Sequence, residues 1–300
     1  MYHYYINYRN ASEPLNLPNL EVEIGFGKGD FLVKLAREYP DKNFLGFEIA
    51  EISIKNLLKK AKRENLKNLK CANIDAFWGF QLLLKDNSIS HIYINYPDPF
   101  PKKRDIKRRI TRQESLYIFA KKLKKGSFIE LRTDHYPFMK YTIEQAKKLQ
   151  CFDIRYSKIN PDKPITRYEE KWSKMEKTLY KVTMEKKKEP ISMKIRTIEK
   201  LKHPFPLNLE NIEINPYRIE NKKFKIKDNL NITFHKVWEK EGSFLIEAVL
   251  SEGGFVQKFS IIIKKKEDYY IFDVSPFSEV LKTKGIQESI TFLAQKIIKS

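Results

Sequence analysis

A chain of 300 residues exceeds the usual size of one domain and predicts two, and its 41% hydrophobic content suffices to build a real core. No run approaches the roughly 20 apolar residues that span a bilayer, the opening MYHYYINYRN lacks the basic flank and apolar core of a secretory signal, and two cysteines, Cys71 and Cys151, exclude a disulfide framework or a cysteine-based zinc site. The net charge of +20 is uneven, with 42 Lys plus Arg against 25 Asp plus Glu in residues 1–200 and 16 against 13 in residues 201–300, so a polyanion-binding surface belongs mainly to the first part.

In chain order, LEVEIG at 20–25 reads as a short strand ending at glycine, and DFLVKLAREY at 30–39 repeats apolar positions at helical spacing. FLGFEI at 44–49 is a second strand and ISIKNLLKKAKREN an amphipathic helix. LKNLKCANID leads to a polar corner, DAFWGFQLLLKD makes a short helix, and SHIYINYPDPF runs from a strand into a proline-closed loop. A helix over 112–124 stops at Gly126, SFIELRTD is the next strand, and a helix around YTIEQAKKL follows. This alternation needs crossovers and predicts a mainly parallel α/β sheet. CFDIRYSKI and KTLYKVTMEKK then predict an antiparallel edge to it.

KKKEPISMKIRTIEKLKHPFPLN breaks the pattern with Pro190, Pro204 and Pro206, which puts a domain boundary between 186 and 206 and divides the chain into 1–190 and 191–300. Beyond it, NITFHKVWEK, GSFLIEAVLS, FVQKFSIIIKK and YYIFDVS alternate or run apolar between Glu241-Gly242, Gly253-Gly254 and Glu267-Asp268, which read as hairpin turns. IQESITFLAQKIIK places Ile286, Ile290, Leu293, Ala294 and Ile297 on one helical face. A small α+β domain, an antiparallel sheet packed by one helix, is expected.

Ligands of parallel sheets bind beyond the carboxyl ends of the strands, where Gly25, Glu48, Asp75, Asp98 and Asp134 all fall. Gly25, Gly27 and Gly29 sit in Gly-x-Gly-x-Gly spacing between a strand and a helix, where they permit a tight turn and close backbone approach to a ligand. The spacing differs from the dinucleotide fingerprint, although Glu48 alone suits the ribose of either a nicotinamide or an adenosyl cofactor. Glu23 is placed to hold a ligand ammonium, and Asp75 lies near the expected base. Both acids also suit plain backbone capping, but four buried acids at consecutive strand ends are costly unless polar partners satisfy them.

Residues 95–109 read NYPDPFPKKRDIKRR. Pro97 and Pro99 stiffen the loop around Asp98, and Phe100 offers a wall for a base. Six of the eight residues from Lys102 to Arg109 are basic, among them Lys102, Arg104, Arg108 and Arg109. A solvated charge run is the bland reading, as is a lysine-rich solubility surface for the whole chain; position beside the loop favours a grip on phosphate. Asp134 can face the same pocket, and Thr166, Arg167, Tyr168 and Glu169 can close it. His135 reads as a surface or packing residue, and no metal site is expected.

Together, VEIGFGKGDFLVKLAREYPDKNFLGFE, NYPDPFPKKRDIKRR, ELRTD and ITRYEEKW resemble the bacterial tRNA guanine-N7 methyltransferase family over about residues 20–186. The resemblance implies a Rossmann-like class I methyltransferase domain that uses S-adenosylmethionine without a metal to methylate guanine 46 of the tRNA variable loop. It implies that Glu23, Glu48 and Asp75 contact the cofactor, that Asp98 serves both active site and cofactor, and that Lys102, Asp134 and Thr166 to Glu169 bind the acceptor. Phe26 stands where many relatives carry cysteine and His135 where asparagine is frequent, and the tail beyond about 190 lies outside the common pattern. The expected protein is cytoplasmic, with tRNA and no membrane as partner, and a monomer is favoured while the sequence leaves the oligomeric state open. An adenine-N6 or exocyclic-amine RNA methyltransferase and a non-enzymatic RNA-binding module are the alternatives.

Overall fold

The structure, a computed structural model, describes residues 3–11, 13–159, 169, 175, 177–201 and 206–298. It divides into two compact units, Met1–Ile195 and Arg196–Ser300. No described helix is long and apolar enough to cross a membrane.

In the first unit, β1 (Leu20–Ile24), β2 (Asn43–Glu48), β3 (Leu69–Asn73), β4 (Ile89–Asn95), β5 (Leu123–Thr133), β6 (Phe152–Ile159) and β7 (Leu179–Lys186) form one sheet in the order 3-2-1-4-5-7-6. Strands 1 to 5 pair in parallel, while β7 runs antiparallel to both β5 and β6. The helices α1 (Asp30–Glu38), α2 (Glu51–Arg63), α3 (Ala76–Leu83), α4 (Gln113–Lys122) and α5 (Tyr136–Lys147) supply the connections. This is the class I Rossmann-like methyltransferase fold with an antiparallel edge. Because β1 lies between β2 and β4, the winding order reverses there, and the carboxyl ends of β1 and β4 are where sheets of this kind take their ligands.

Local chemistry explains the elements. Every residue of β1 is buried, including Glu21 and Glu23, as befits the central strand of a parallel sheet covered on both faces. Asn68 donates to the carbonyls of Ala36, Tyr39 and Lys42, satisfying groups orphaned as α1 ends. His135 is the N-cap of α5, its Nδ1 accepting from the Phe138 N–H at 3.1 Å. That role also starts the helix earlier than its apolar spacing implies.

One boundary differs from expectation. Helix α4 ends at Lys122, not at Gly126, because Leu123 leaves the helix extended and is fully buried beside Ile89 of β4. Gly126, at φ +81°, lies inside β5 where its register with β4 shifts. It marks a bulge rather than a helix stop.

The second unit is an antiparallel sheet of β8 (Leu207–Glu210), β9 (Lys222–Lys227), β10 (Leu230–Lys240), β11 (Ser243–Glu252), β12 (Phe255–Lys265) and β13 (Tyr269–Val274), in the order 8-13-12-11-10-9. Helix α6 (Lys284–Ile297) buries Ile286, Ile290, Leu293, Ala294 and Ile297 against Ile232, Phe234, Ile246, Leu250, Ile261 and Phe272. Glu241 and Gly242 both take positive φ, at 52° and 72°, in the two-residue turn between β10 and β11.

Candidate active site at the carboxyl ends of the sheet

The glycine loop after β1 has its three glycines in the left-handed region, Gly25 at +71°, Gly27 at +52° and Gly29 at +74°. A Cβ on Gly25 or Gly27 would meet nothing within 4 Å, so the loop presents open backbone rather than a packed surface. At Gly29 a Cβ would come within 2.5 Å of Leu57 on α2, which makes that glycine a packing requirement. Glu48, half-buried at the end of β2, accepts from Gly27 N–H at 3.1 Å with Oε2 and from Ile49 and Ala50 N–H at 2.8 and 3.1 Å with Oε1. Its carboxylate therefore braces the glycine loop.

Glu23 is the buried acid of the site. Its Oε1 accepts from Asn95 Nδ2 at 3.0 Å across the β1–β4 junction. Its Oε2 and the Oδ1 of Asn95 are buried with no hydrogen-bond partner. Burial is the main cause that pushes the Glu23 carboxyl up from 4.5 to about 8, with the Asn95 hydrogen bond opposing and the charge of Glu48 reinforcing. Two buried polar oxygens without partners at a topological switch point are costly in the free protein, and one ammonium group supplies donors for both once the Glu23 carboxyl gives up its proton. The amino-acid end of S-adenosylmethionine carries such a group, so these residues fit it.

The expectation of four buried acids is corrected. Glu23 is buried and Glu48 is half-buried but satisfied, whereas Asp75 and Asp98 are exposed. Asp75 spends one oxygen capping α3, with Oδ1 accepting from Phe77 N–H at 2.9 Å, the capping role its sequence position also allowed. Asp134, at the carboxyl end of β5, is ion-paired with Lys177.

Asp98 sits on a loop held at both ends. Tyr96 and Phe100 take left-handed φ of 51° and 41°. The guanidinium of Arg109 donates to the Pro99 carbonyl at 2.8 Å and the Phe100 carbonyl at 3.1 Å, and lies over the Tyr141 and Phe138 rings of α5. This corrects the expected role of Arg109. It is 5% exposed, and its donors already serve loop carbonyls, so it is a strut beneath the loop rather than a phosphate contact.

Lys102, Lys103, Arg104, Lys107 and Arg108 are exposed on a 3-10 turn over Lys103–Arg108, so five of the six cations stay on the surface. Arg108 stacks over Phe100 at 4.5 Å, which covers the wall expected for a base. Glu169 also differs from expectation. It is fully buried, with Oε1 accepting from Tyr96 Oη at 2.7 Å and Arg132 Nη1 at 2.8 Å, so it does not stand free to receive an acceptor. Thr166, Arg167 and Tyr168 lie outside the described residues.

Sequence reasoning missed Asn95, Tyr96 and Arg132. Asn95 and Tyr96 open the proline loop and Arg132 belongs to ELRTD, so their positions inside the motifs were the available signal.

A family model described as "Putative methyltransferase" matches residues 18–182. The chain is 49% identical over 291 residues to a tRNA (guanine-N(7)-)-methyltransferase of Aquifex aeolicus, covering 97% of this chain and 98% of that one. It is 30% identical to the enzyme of that name from Thermotoga maritima, covering 92% of this chain and 88% of the relative. A third relative so named, from Francisella philomiragia, is 32% identical over 174 residues, 57% of this chain and 76% of its own. With both units matched at this identity, the chain belongs to the tRNA (guanine-N(7)-)-methyltransferase family.

Proposed function

We propose that the chain transfers the methyl group of S-adenosylmethionine to N7 of a guanine in tRNA, at variable-loop position 46 as the family pattern implies. The observation that carries this reading is 49% identity to the Aquifex aeolicus relative across nearly both full chains. The carboxyl ends of the sheet support it, with an open glycine loop, buried oxygens of Glu23 and Asn95 without partners, and exposed cations beside Asp98. A cytoplasmic site of action follows from a tRNA substrate.

Bound S-adenosylmethionine supplies an electrophilic methyl group on a sulfonium. Glu23 and Asn95 hold the ammonium end, Glu48 offers its remaining acceptor capacity to the ribose, and the free oxygen of Asp75 serves the base. Guanine N7 carries a lone pair and loses no proton before attack, so the protein's main task is alignment. The developing positive charge on the purine is stabilised by Asp98, carried on a loop that Arg109 fixes. Lys102, Arg104 and Arg108 engage the tRNA phosphates, and Asp134 faces the acceptor.

The test is methylation of unmodified tRNA followed by nuclease digestion and nucleoside identification. 7-Methylguanosine is expected, and its loss when position 46 is changed locates the target. N6-methyladenosine, a methylated exocyclic amine, or tRNA binding with no release of S-adenosylhomocysteine would overturn the proposal in favour of one of the alternatives.

Two expected results separate the cofactor and RNA surfaces. Glu48→Ala weakens S-adenosylmethionine binding about tenfold, the scale of lost charge-assisted hydrogen bonds, and leaves tRNA affinity within twofold. Calorimetric titration of each ligand checks this, and unchanged cofactor affinity in a folded variant rejects the assignment. Neutralising Arg104 and Arg108 has the reverse pattern, with a salt dependence of tRNA binding shallower by about one to two units of log K per log salt. An unchanged slope identifies the turn as ordinary solvated surface. Arg109 is left intact in that experiment, because its removal frees the loop itself.

A further inference from the structure

Tyr96 is a bulky residue in a left-handed conformation, at φ +51°, immediately before the loop that carries Asp98. Such a conformation is sparsely populated for an aromatic side chain and persists where surrounding structure over-determines it. The restraints are visible. The Tyr96 N–H donates to the Arg132 carbonyl at 2.8 Å, which ties the end of β4 to the end of β5. Its hydroxyl donates to Glu169 Oε1 at 2.7 Å, and Arg132 Nη1 donates to the same oxygen at 2.8 Å.

Glu169 belongs to the connection between β6 and β7 and is fully buried, so one carboxylate joins three separate parts of the chain. Arg132 is fixed in turn, since its Nε donates to Glu130 Oε1 at 2.8 Å and Glu130 also pairs with Lys181 of β7 at 3.5 Å. Both carboxylates thus hold one guanidinium, and the backbone of the same residue holds Tyr96. In a shielded site, such an ion pair with shared hydrogen bonds is geometrically strict.

We propose that Tyr96, Arg132 and Glu169 are positioning residues for methyl transfer, a buried clamp that sets the entry angle of the Asp98 loop. Glu169 acts through Tyr96 on the reaction loop and does not touch the guanine. With Arg109 beneath Pro99 and Phe100, the loop is held from two sides, at its start by the clamp and at its end by the strut. The proposal rests on the reading that Asp98 faces the acceptor, and it assigns to the TRYE segment a mechanical task at its last residue.

The test compares wild type, Tyr96→Phe, Glu169→Ala, Glu169→Gln and the Tyr96→Phe/Glu169→Ala double variant. Single-turnover methylation is measured with both ligands saturating, S-adenosylmethionine and tRNA affinities are measured separately, and hydrogen exchange is followed at the amides of Tyr96, Asp98 and Phe100. Tyr96→Phe and Glu169→Ala are each expected to slow transfer about fivefold, with affinities within twofold and faster exchange in the loop. Glu169→Gln keeps an acceptor oxygen and is expected within twofold of wild type. The double variant is expected to be no slower than the slower single one, because both changes open the same device.

The clamp is overturned if Glu169→Ala weakens tRNA binding while transfer at saturation stays normal, or if the two effects multiply to about 25-fold. Tyr96→Phe, which removes one hydroxyl, keeps the test decisive should Glu169→Ala fail to fold: a normal rate with normal loop exchange in that variant also overturns it. If wild type fails to methylate tRNA, the functional reading falls, and loop exchange alone still decides whether the clamp exists.

Discussion

Asp98→Asn is expected to slow single-turnover formation of 7-methylguanosine at least tenfold, about 1.4 kcal/mol of transition-state stabilisation, with the fold intact. The substitution keeps size and the flanking Pro97 and Pro99 while removing the negative charge. Asp98 is exposed on a loop whose next two carbonyls, those of Pro99 and Phe100, are pinned by Arg109, so its carboxylate is presented rather than used in packing. Charge stabilisation by a pre-positioned group costs little reorganisation at the moment of transfer. The rate must be read with cofactor and tRNA saturating, because Asp98 can also touch the amino-acid end of the cofactor. Recovery of the wild-type rate under saturation would make it a binding residue. A persistent loss supports electrostatic assistance to the guanine.

The largest effect on binding is expected from Glu23, and it depends on pH. With its carboxyl raised from 4.5 to about 8 by burial, Glu23 is protonated at neutral pH in the free protein. The ammonium of the ligand, an α-amine with a pKa of about 8, is protonated there too. Pairing the two as carboxylate and ammonium therefore releases one proton, so affinity is expected to rise about tenfold from pH 6 to 7 and to turn over near pH 8. Titration in two buffers of different ionisation enthalpy reads the released proton directly.

Glu23→Gln removes the release and flattens the profile, and Glu23→Ala, which leaves the ammonium facing Asn95 alone, costs about a hundredfold, near 3 kcal/mol. A pH slope that survives Glu23→Gln sinks the assignment. The same shift acts on the free protein. A carboxyl raised on folding contributes stability that is fully present below about 4.5 and lost as pH rises through about 8, so the unliganded melting temperature falls across that window and cofactor restores it.

How much of this was legible in the sequence follows from how local each constraint is. The glycine loop and Asp-Pro loop announced themselves because backbone geometry at Gly25, Gly27, Pro97 and Pro99 needs those residue types in place. The parallel strands were readable from their apolar runs, and α6 from its spacing. Arg109 was not separable from its basic neighbours, because only burial against Tyr141 and Phe138, contributed by α5, makes it a strut.

Glu169 meets Arg132 across 37 positions of sequence, a contact that no local pattern encodes. Strand β8 is four residues long, and the alternation of β9, KKFKIK, is swamped by its lysines, so two edges of the second sheet went unread. Gly126 shows the opposite failure, a punctuation mark read correctly as a break but assigned to the wrong element.

The core around α6 draws every one of its residues from 207 to 297. A core so self-contained gives heat or denaturant one cooperative cluster to dissolve, and the bonds among Glu23, Asn95, Tyr96, Arg109 and Glu169 draw all their partners from the first 195 residues. Substitutions that fill or empty this core therefore act on residues that contribute nothing to the bonds around Asp98.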